Sequence, residues 1–211
     1  MFELSPEQRE YVKARGKVVL NAGPGSGKTQ TIAHKLHELI GGGLGSGASG
    51  IACLSFTNVA KEEIQSKYQE LSGRKVQFPS VVSTIDSFVN MYITLPFCYL
   101  LNIASRPQIL ETPKELDRRL VSYGKLSHKG KDNKPLKFKR NYAPSKIYKD
   151  LNGNYTVNGG VQSSVVEISV FNDYAKVISD WKADVGMLTN YDSTLVALKL
   201  LKDYPDRIGK C

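Results

Sequence analysis

Eleven residues, Asn21 to Thr31, reading NAGPGSGKTQT, hold the densest chemistry in this chain. Gly23, Gly25 and Gly27 let a backbone curl without Cβ clashes, so that successive N–H groups can point inward as a nest for an anion. Ser26 lies in the same turn, and Ala22 stands where the general pattern has its first glycine. Lys28 is placed to neutralise the outer phosphates, and the Thr29 hydroxyl is a ligand suited to Mg²⁺. The pattern therefore predicts a site for a nucleoside triphosphate with Mg²⁺. It does not select a reaction, because kinases, GTPases, ATPases and translocases all use such a loop.

A phosphate loop of this type needs a strand before it and a helix after it. GKVVLNA, ending at Ala22, reads as a buried strand, and KTQTIAHKLHELI reads as a helix with Ile32, Leu36, Leu39 and Ile40 on one face. Upstream, LSPEQREYVKA has the signals of a short helix: Ser5 as cap, Pro6 at the first helical position and Gln8 where a capping box places Glu or Gln. Downstream, the glycine-rich GGGLGSGASG reads as a flexible connection to a second strand, GIACLSF. TNVAKEEIQSKYQEL then forms a helix, PSVVSTI a third strand, and DSFVNMYI opens another helix. This alternation predicts an α/β P-loop NTPase fold, a parallel sheet with helices on both faces.

Hydrolysis also calls for a carboxylate at the end of a second apolar strand. Asp86, after SVVSTI, has that position; Asp173 belongs to a stretch with helical spacing and an internal Glu167 and is the poorer candidate.

The 211 residues are 41% hydrophobic and 23% charged, an ordinary globular composition. No apolar run approaches the ~20 residues that span a bilayer, and the first residues lack a signal-peptide pattern. Cys53, Cys98 and Cys211 are odd in number and without CxxC spacing, which argues against a disulfide framework or structural zinc and for reduced thiols. A cytoplasmic protein is expected. The net charge of +9 is concentrated: residues 106–150 hold 13 Lys/Arg against 5 Asp/Glu. With Phe138, Tyr142, Tyr148 and Tyr155 in or beside it, that stretch suits either a polyanion partner or a solvated basic surface around packed tyrosines.

Beyond residue 100 the rhythm changes to a small, mainly helical subdomain: a basic helix near 113–123, then a turn-rich stretch expected to hold a small hairpin. From Ser164, three before Glu167 as in a capping box, Val166, Val170, Tyr174, Val177 or Ile178 and Trp181 recur at helical spacing, a core face. DSTLVALKLLKDYP closes the chain as a helix.

Three further stretches make the chain resemble the start of a superfamily 1A helicase of the UvrD/Rep type. LSPEQREYV looks like the family's Q motif, CLSFTNVAKEEI like motif Ia and STIDSFV like motif Ib, in the family's order. The resemblance implies a RecA-like first motor domain over 1–100, an inserted 1B-type basic subdomain over 101–185, and a return helix over 186–211. It implies that Gln8 reads an adenine edge, so that ATP with Mg²⁺ is the cofactor; by its residues alone Gln8 is equally a helix cap. It assigns Ala22, Gly23, Gly25, Ser26, Gly27, Lys28, Thr29 and Gln30 to the nucleotide. It assigns Phe56, Thr57, Asn58, Thr84, Ser87 and Phe88 to single-stranded DNA, although Phe56 could equally be core.

Two positions depart from the family. Asp86 stands where many members have His, and Gln30 where an Arg is common. The family's DExQ motif and the arginine fingers of a second RecA-like domain are not found before Cys211. The implied protein is an ATP-dependent DNA helicase or translocase acting on single strands and duplex junctions, of which these residues are the N-terminal, nucleotide-binding part without turnover of its own. Two other readings remain: a self-contained P-loop NTPase or nucleotide kinase using Asp86, and a nucleotide-gated nucleic-acid-binding module.

Overall fold

The structure, a computed structural model, describes residues 3–43, 49–103, 107–110, 113–122, 128–136, 139, 141–157 and 160–208. Phe138, Cys211 and part of the glycine-rich connection lie outside the described residues. The chain divides into two compact units, Met1–Phe88 and Val89–Cys211.

In the first unit, helix α1 (Pro6–Lys13) begins with the expected capping box, Ser5 and Gln8 each satisfying the other's backbone N–H, with proline in the first turn. Helix α2 (Lys28–Gly41) follows the phosphate loop and buries Thr31, Ala33 and Leu36. Strand β1 (Ala52–Ser55) leads into helix α3 (Asn58–Ser72), and strand β2 (Val81–Thr84) into the short helix α4 (Ile85–Val89). The two strands are parallel and in register from Ala52 opposite Val81 to Ser55 opposite Thr84. Leu36, Ile64, Tyr68 and Val82 form the core between α2, α3 and β2, with Ile32, Ile40, Ile51, Cys53 and Val76 packed against it.

One expectation fails here. Residues 17–22 do not form a buried strand: Val19 is 92% exposed. A strand exists only when a neighbour accepts and donates its backbone hydrogen bonds, and no described strand pairs with this segment. The fold is accordingly α/β with small sheets; among the described residues the strands pair in twos, and no sheet has more than two strands.

The second unit starts with a π-helical segment, Asn90–Thr94, continued by α5 (Leu95–Phe97) and a 3₁₀ turn, Cys98–Leu101. Strand β3 (Gln108–Leu110), the basic helix α6 (Pro113–Ser122) and an antiparallel hairpin, β4 (Ile147–Lys149) with β5 (Tyr155–Val157), come next. Then follow helix α7 (Ile168–Val185), strand β6 (Met187–Thr189), helix α8 (Asn190–Asp203) and helix α9 (Pro205–Ile208). β6 pairs in parallel with β3, Gln108 opposite Met187.

Tyr174 and Ile178 are fully buried with Phe171, and Val170, Val177 and Trp181 pack against them, as the helical spacing predicts; Val166 is buried with them from outside the helix. The helix does not begin at Ser164, however. Val165 and Val166 both donate to Gln162 O, a turn that drives Val166 into the core, and α7 starts only after Glu167. No described helix is long and apolar enough to cross a membrane.

Candidate functional site

The phosphate loop is held by its own hydrogen bonds. Ser26 Oγ donates to Gly23 O at 2.8 Å and Ser26 N to the same oxygen at 3.4 Å, closing the turn. Gly25 and Gly27 take φ of 76° and 77°, the left-handed region in which a Cβ would be strained. Gly27 is the N-cap of α2 and offers no side-chain cap, so the first N–H groups of that helix are left for a ligand or water. Thr31 Oγ1 donates back to Gly27 O at 3.0 Å and fixes the first turn from its buried side.

Around this turn lies a cavity of roughly 310 Å³ lined by Gln8, Ala22, Gly23, Ser26 and Lys28, together with Ser5, Glu7, Leu20, Asn21 and Thr31. Five of the predicted nucleotide residues thus share one cavity; Gly25, Gly27, Thr29 and Gln30 are not among its walls. Gln30 instead contacts His34 one turn along α2, amide nitrogen to ring nitrogen at 3.3 Å. Burial first, and His37 second, hold His34 below the usual imidazole range.

A helix N-terminus whose N–H groups are uncapped, a curled glycine turn and an exposed lysine are together a fit for a phosphate chain. A cavity of this size is of the order that holds a small-molecule ligand.

Gln8 joins the first helix to the loop. Its Oε1 accepts from Ser5 N at 2.9 Å, the capping bond, while its Nε2 donates to Ser26 O at 3.0 Å. Capping and loop contact are carried by one amide. Two residues at the site were not singled out by sequence. Glu7, on the cavity wall, accepts from Ser5 Oγ at 2.6 Å, and that bond holds its carboxyl below the usual range. Lys35, on α2, donates to Tyr11 O and Ala14 O, both at 2.8 Å. Acidic first-turn positions and polar helix faces are so common on surfaces that neither residue carries a signal of its own.

The second set of candidates leaves the paired ends of two parallel strands. Ser55 and Thr84 are register partners, so Phe56–Asn58 and Ile85–Phe88 depart from neighbouring strand ends, at strand spacing of about 4.8 Å. Phe56 is 91% exposed and is not a core residue. Thr57 caps α3, its hydroxyl accepting from Ala60 N at 3.1 Å, and Asn58 Oδ1 accepts from Lys61 Nζ at 3.3 Å. Thr84 is buried; its hydroxyl accepts from Ser87 N at 3.2 Å and donates to Ser87 Oγ at 2.8 Å. Ser87 and Asp86 are exposed, and Phe88 is half-buried.

In the second unit the densest polar arrangement is structural. Lys182, 5% exposed, donates to Ile147 O at 2.7 Å and to both oxygens of Asp192 at 2.9 and 3.1 Å. Asp192 also accepts from Thr189 N and Oγ1, at 2.9 and 2.8 Å. A second, partly buried network links Asn90 and Thr94 of the π segment to Asn190 and Ser193 of α8. Of the aromatic residues in or beside the basic stretch, Tyr142 is fully buried, Tyr148 stacks obliquely on Tyr191 with centroids 4.4 Å apart, and Tyr155 lies under Lys149 Nζ at 5.4 Å.

Residues 4–203 match the family model of the UvrD/REP helicase N-terminal domain. Two curated relatives are each 38% identical over 84 residues, 39% of this chain: the ATP-dependent DNA helicases Rep of Escherichia coli (strain K12) and of Salmonella typhimurium (strain LT2). Those 84 residues are 12% of the length of each relative.

Proposed function

This chain belongs to the UvrD/REP helicase N-terminal domain family, and we propose that it forms the ATP-binding part of an ATP-dependent DNA helicase or translocase. The observation that carries this reading is the single cavity shared by Gln8, the glycine turn and Lys28. On this reading the first domain is RecA-like, 101–185 is an inserted basic subdomain, and 186–211 returns to the first domain.

ATP bound with Mg²⁺ supplies the phosphoanhydride whose cleavage drives movement along a DNA strand. The chain's own residues hold and orient it. The loop N–H groups and Lys28 carry the charge of the phosphates, the Thr29 hydroxyl is the Mg²⁺ ligand, and Gln8 meets the adenine edge with Gln30 nearby. Phe56 stacks on a base, while Thr57, Asn58 and Ser87 engage the strand backbone; Thr84 acts by holding Ser87. The Mg²⁺ carboxylate, the catalytic base and the arginine fingers come from a second RecA-like domain and from residues outside these 211, so the chain alone binds without turnover. Single-stranded DNA and duplex junctions are the partners, with the lysines of 106–150 contacting phosphates.

The test is phosphate release and ligand binding by the chain and by Lys28→Ala. The expected result is ATP binding that the variant loses, salt-dependent affinity for single-stranded DNA, and no phosphate release above the variant's. DNA-stimulated phosphate release from the chain itself would refute the need for a second domain. If Asp86→Asn then abolished that release, a self-contained NTPase would be the better account. DNA affinity altered by ATP in a longer chain that carries the second domain, yet with no phosphate release, would identify a nucleotide-gated binding module instead.

A further inference from the structure

We propose that Lys35 is a positioning residue for base recognition, bracing α1 so that Gln8 presents its amide to the nucleotide; this rests on the reading of Gln8 given above. Helix α1 has 8 residues and one buried side chain, Val12. A helix that short does not hold its own geometry in water. It is tied down at its two ends.

At the C-terminal end, where helix carbonyls lack partners, Lys35 Nζ bonds Tyr11 O and Ala14 O and lies 4.6 Å from the centre of the Tyr11 ring. Burial, and then the neighbouring Arg15 guanidinium, hold the Lys35 ammonium below the ordinary lysine range. Arg15 and Glu38 add an ion pair at 3.6 Å, half-exposed and therefore weak. At the N-terminal end, Gln8 Nε2 bonds Ser26 O. Lys35 and Lys28 lie on the same helix about two turns apart. The element that carries the phosphate-binding lysine therefore also sets the position of the glutamine.

The state of the Gln8 amide makes this matter. A glutamine amide has two N–H donors and two acceptor lone pairs. Ser26 O uses one donor and Ser5 N one lone pair, leaving the amide one donor and one acceptor, with its plane set by those two bonds. That pair complements the N7 acceptor and N6 donor of adenine and mismatches guanine, which shows two acceptors on the same edge. If α1 shifts, the amide plane shifts with it, and the discrimination is lost before the phosphate grip is.

The experiment is calorimetric titration of the chain with MgATP and MgGTP, repeated for Lys35→Met, Lys35→Arg, Gln8→Ala and the Lys35→Met/Gln8→Ala double variant, with thermal unfolding of each. The wild-type chain is expected to prefer ATP. Lys35→Met should weaken ATP about tenfold, the scale of one bidentate base contact, with GTP unchanged. Lys35→Arg should restore the preference, since its guanidinium can reach both carbonyls, and the double variant should lose no more than Gln8→Ala.

Equal weakening of ATP and GTP by Lys35→Met, or additive losses in the double variant, would overturn the proposal. Equal binding of ATP and GTP by the wild-type chain overturns it together with the adenine role of Gln8, while leaving the phosphate loop standing. Binding of neither nucleotide overturns the proposed function itself.

Discussion

In Met1–Phe88 the main apolar cluster gathers four buried side chains among the described residues, Leu36, Ile64, Tyr68 and Val82. In Val89–Cys211 it gathers thirteen, among them Tyr142, Phe171 and Tyr174. The same contrast holds for polar groups. The first unit leaves its chemistry in the open, with Lys28 and Phe56 exposed and the N-terminus of α2 uncapped. The second buries Lys182 against Asp192 and seals Thr94 and Ser193 into a hydrogen-bonded cluster. Backbone and side-chain groups that must meet ligands cannot also be satisfied internally, so the unit that carries the candidate site gives up burial that the other unit keeps.

The largest expected effect sharpens the buried side of this contrast. Lys182→Met leaves the Asp192 carboxylate buried without its cation and should destabilise the second unit by about 3–5 kcal/mol. Adding Asp192→Asn, which keeps an acceptor for Thr189, should recover most of it. Denaturant unfolding of the three proteins measures both, and a loss under ~1 kcal/mol for the single variant would show that the pair is not sealed from water.

Lys28→Ala tests the open side. On the proposed function it should cost about 1.5–3 kcal/mol in nucleotide affinity while leaving unfolding within ~0.5 kcal/mol. A variant that instead unfolds easily would mean that Lys28 holds the fold and not a ligand.

Phe56→Ala should likewise cost little stability, within ~0.5 kcal/mol, but about 1–3 kcal/mol of single-stranded DNA affinity. Unchanged DNA binding in a filter or anisotropy titration would remove Phe56 from the nucleic-acid surface.

The smallest effect concerns pH. Burial first, and Asp117 second, raise the Tyr174 phenol well above its ordinary value, so the folded protein keeps a proton that the unfolded chain loses above pH ~10. Stability should therefore fall as pH rises past ~10, at up to about 1.4 kcal/mol per pH unit. Tyr174→Phe should flatten that slope, at the cost of the 2.9 Å bond to Tyr142 O. An unchanged slope would place the titration elsewhere.

What could be read from the sequence was what short-range signals encode. The Ser5–Gln8 box, the α2 and α7 faces, the hairpin and the phosphate loop all follow from spacing over a few residues. Lys17–Ala22 was misread because apolar β-branched residues announce a strand but not its neighbour, and Val19 finds none among the described strands. The strands β3 and β6 are three residues each and pair across a long separation, below the length at which alternation can be seen. Lys182 and Lys35 looked like ordinary surface lysines, because a carbonyl acceptor contributed by another element leaves no trace in local composition. At the site, the motif located the loop, but the Gln8–Ser26 bond joins residues eighteen apart, a contact that local spacing does not encode.

The parallel pairing of Gln108–Leu110 with Met187–Thr189 has a topological consequence. Everything between Leu110 and Met187 leaves and returns at adjacent points, about one strand spacing apart. An excursion with coincident ends makes no demand on the length or shape of what it encloses beyond closing the loop, an entropic term that grows only logarithmically. Length can thus be added or removed in the turns of this excursion, such as the one between β4 and β5, while α7 stays fixed by its core face and by Lys182 on Asp192.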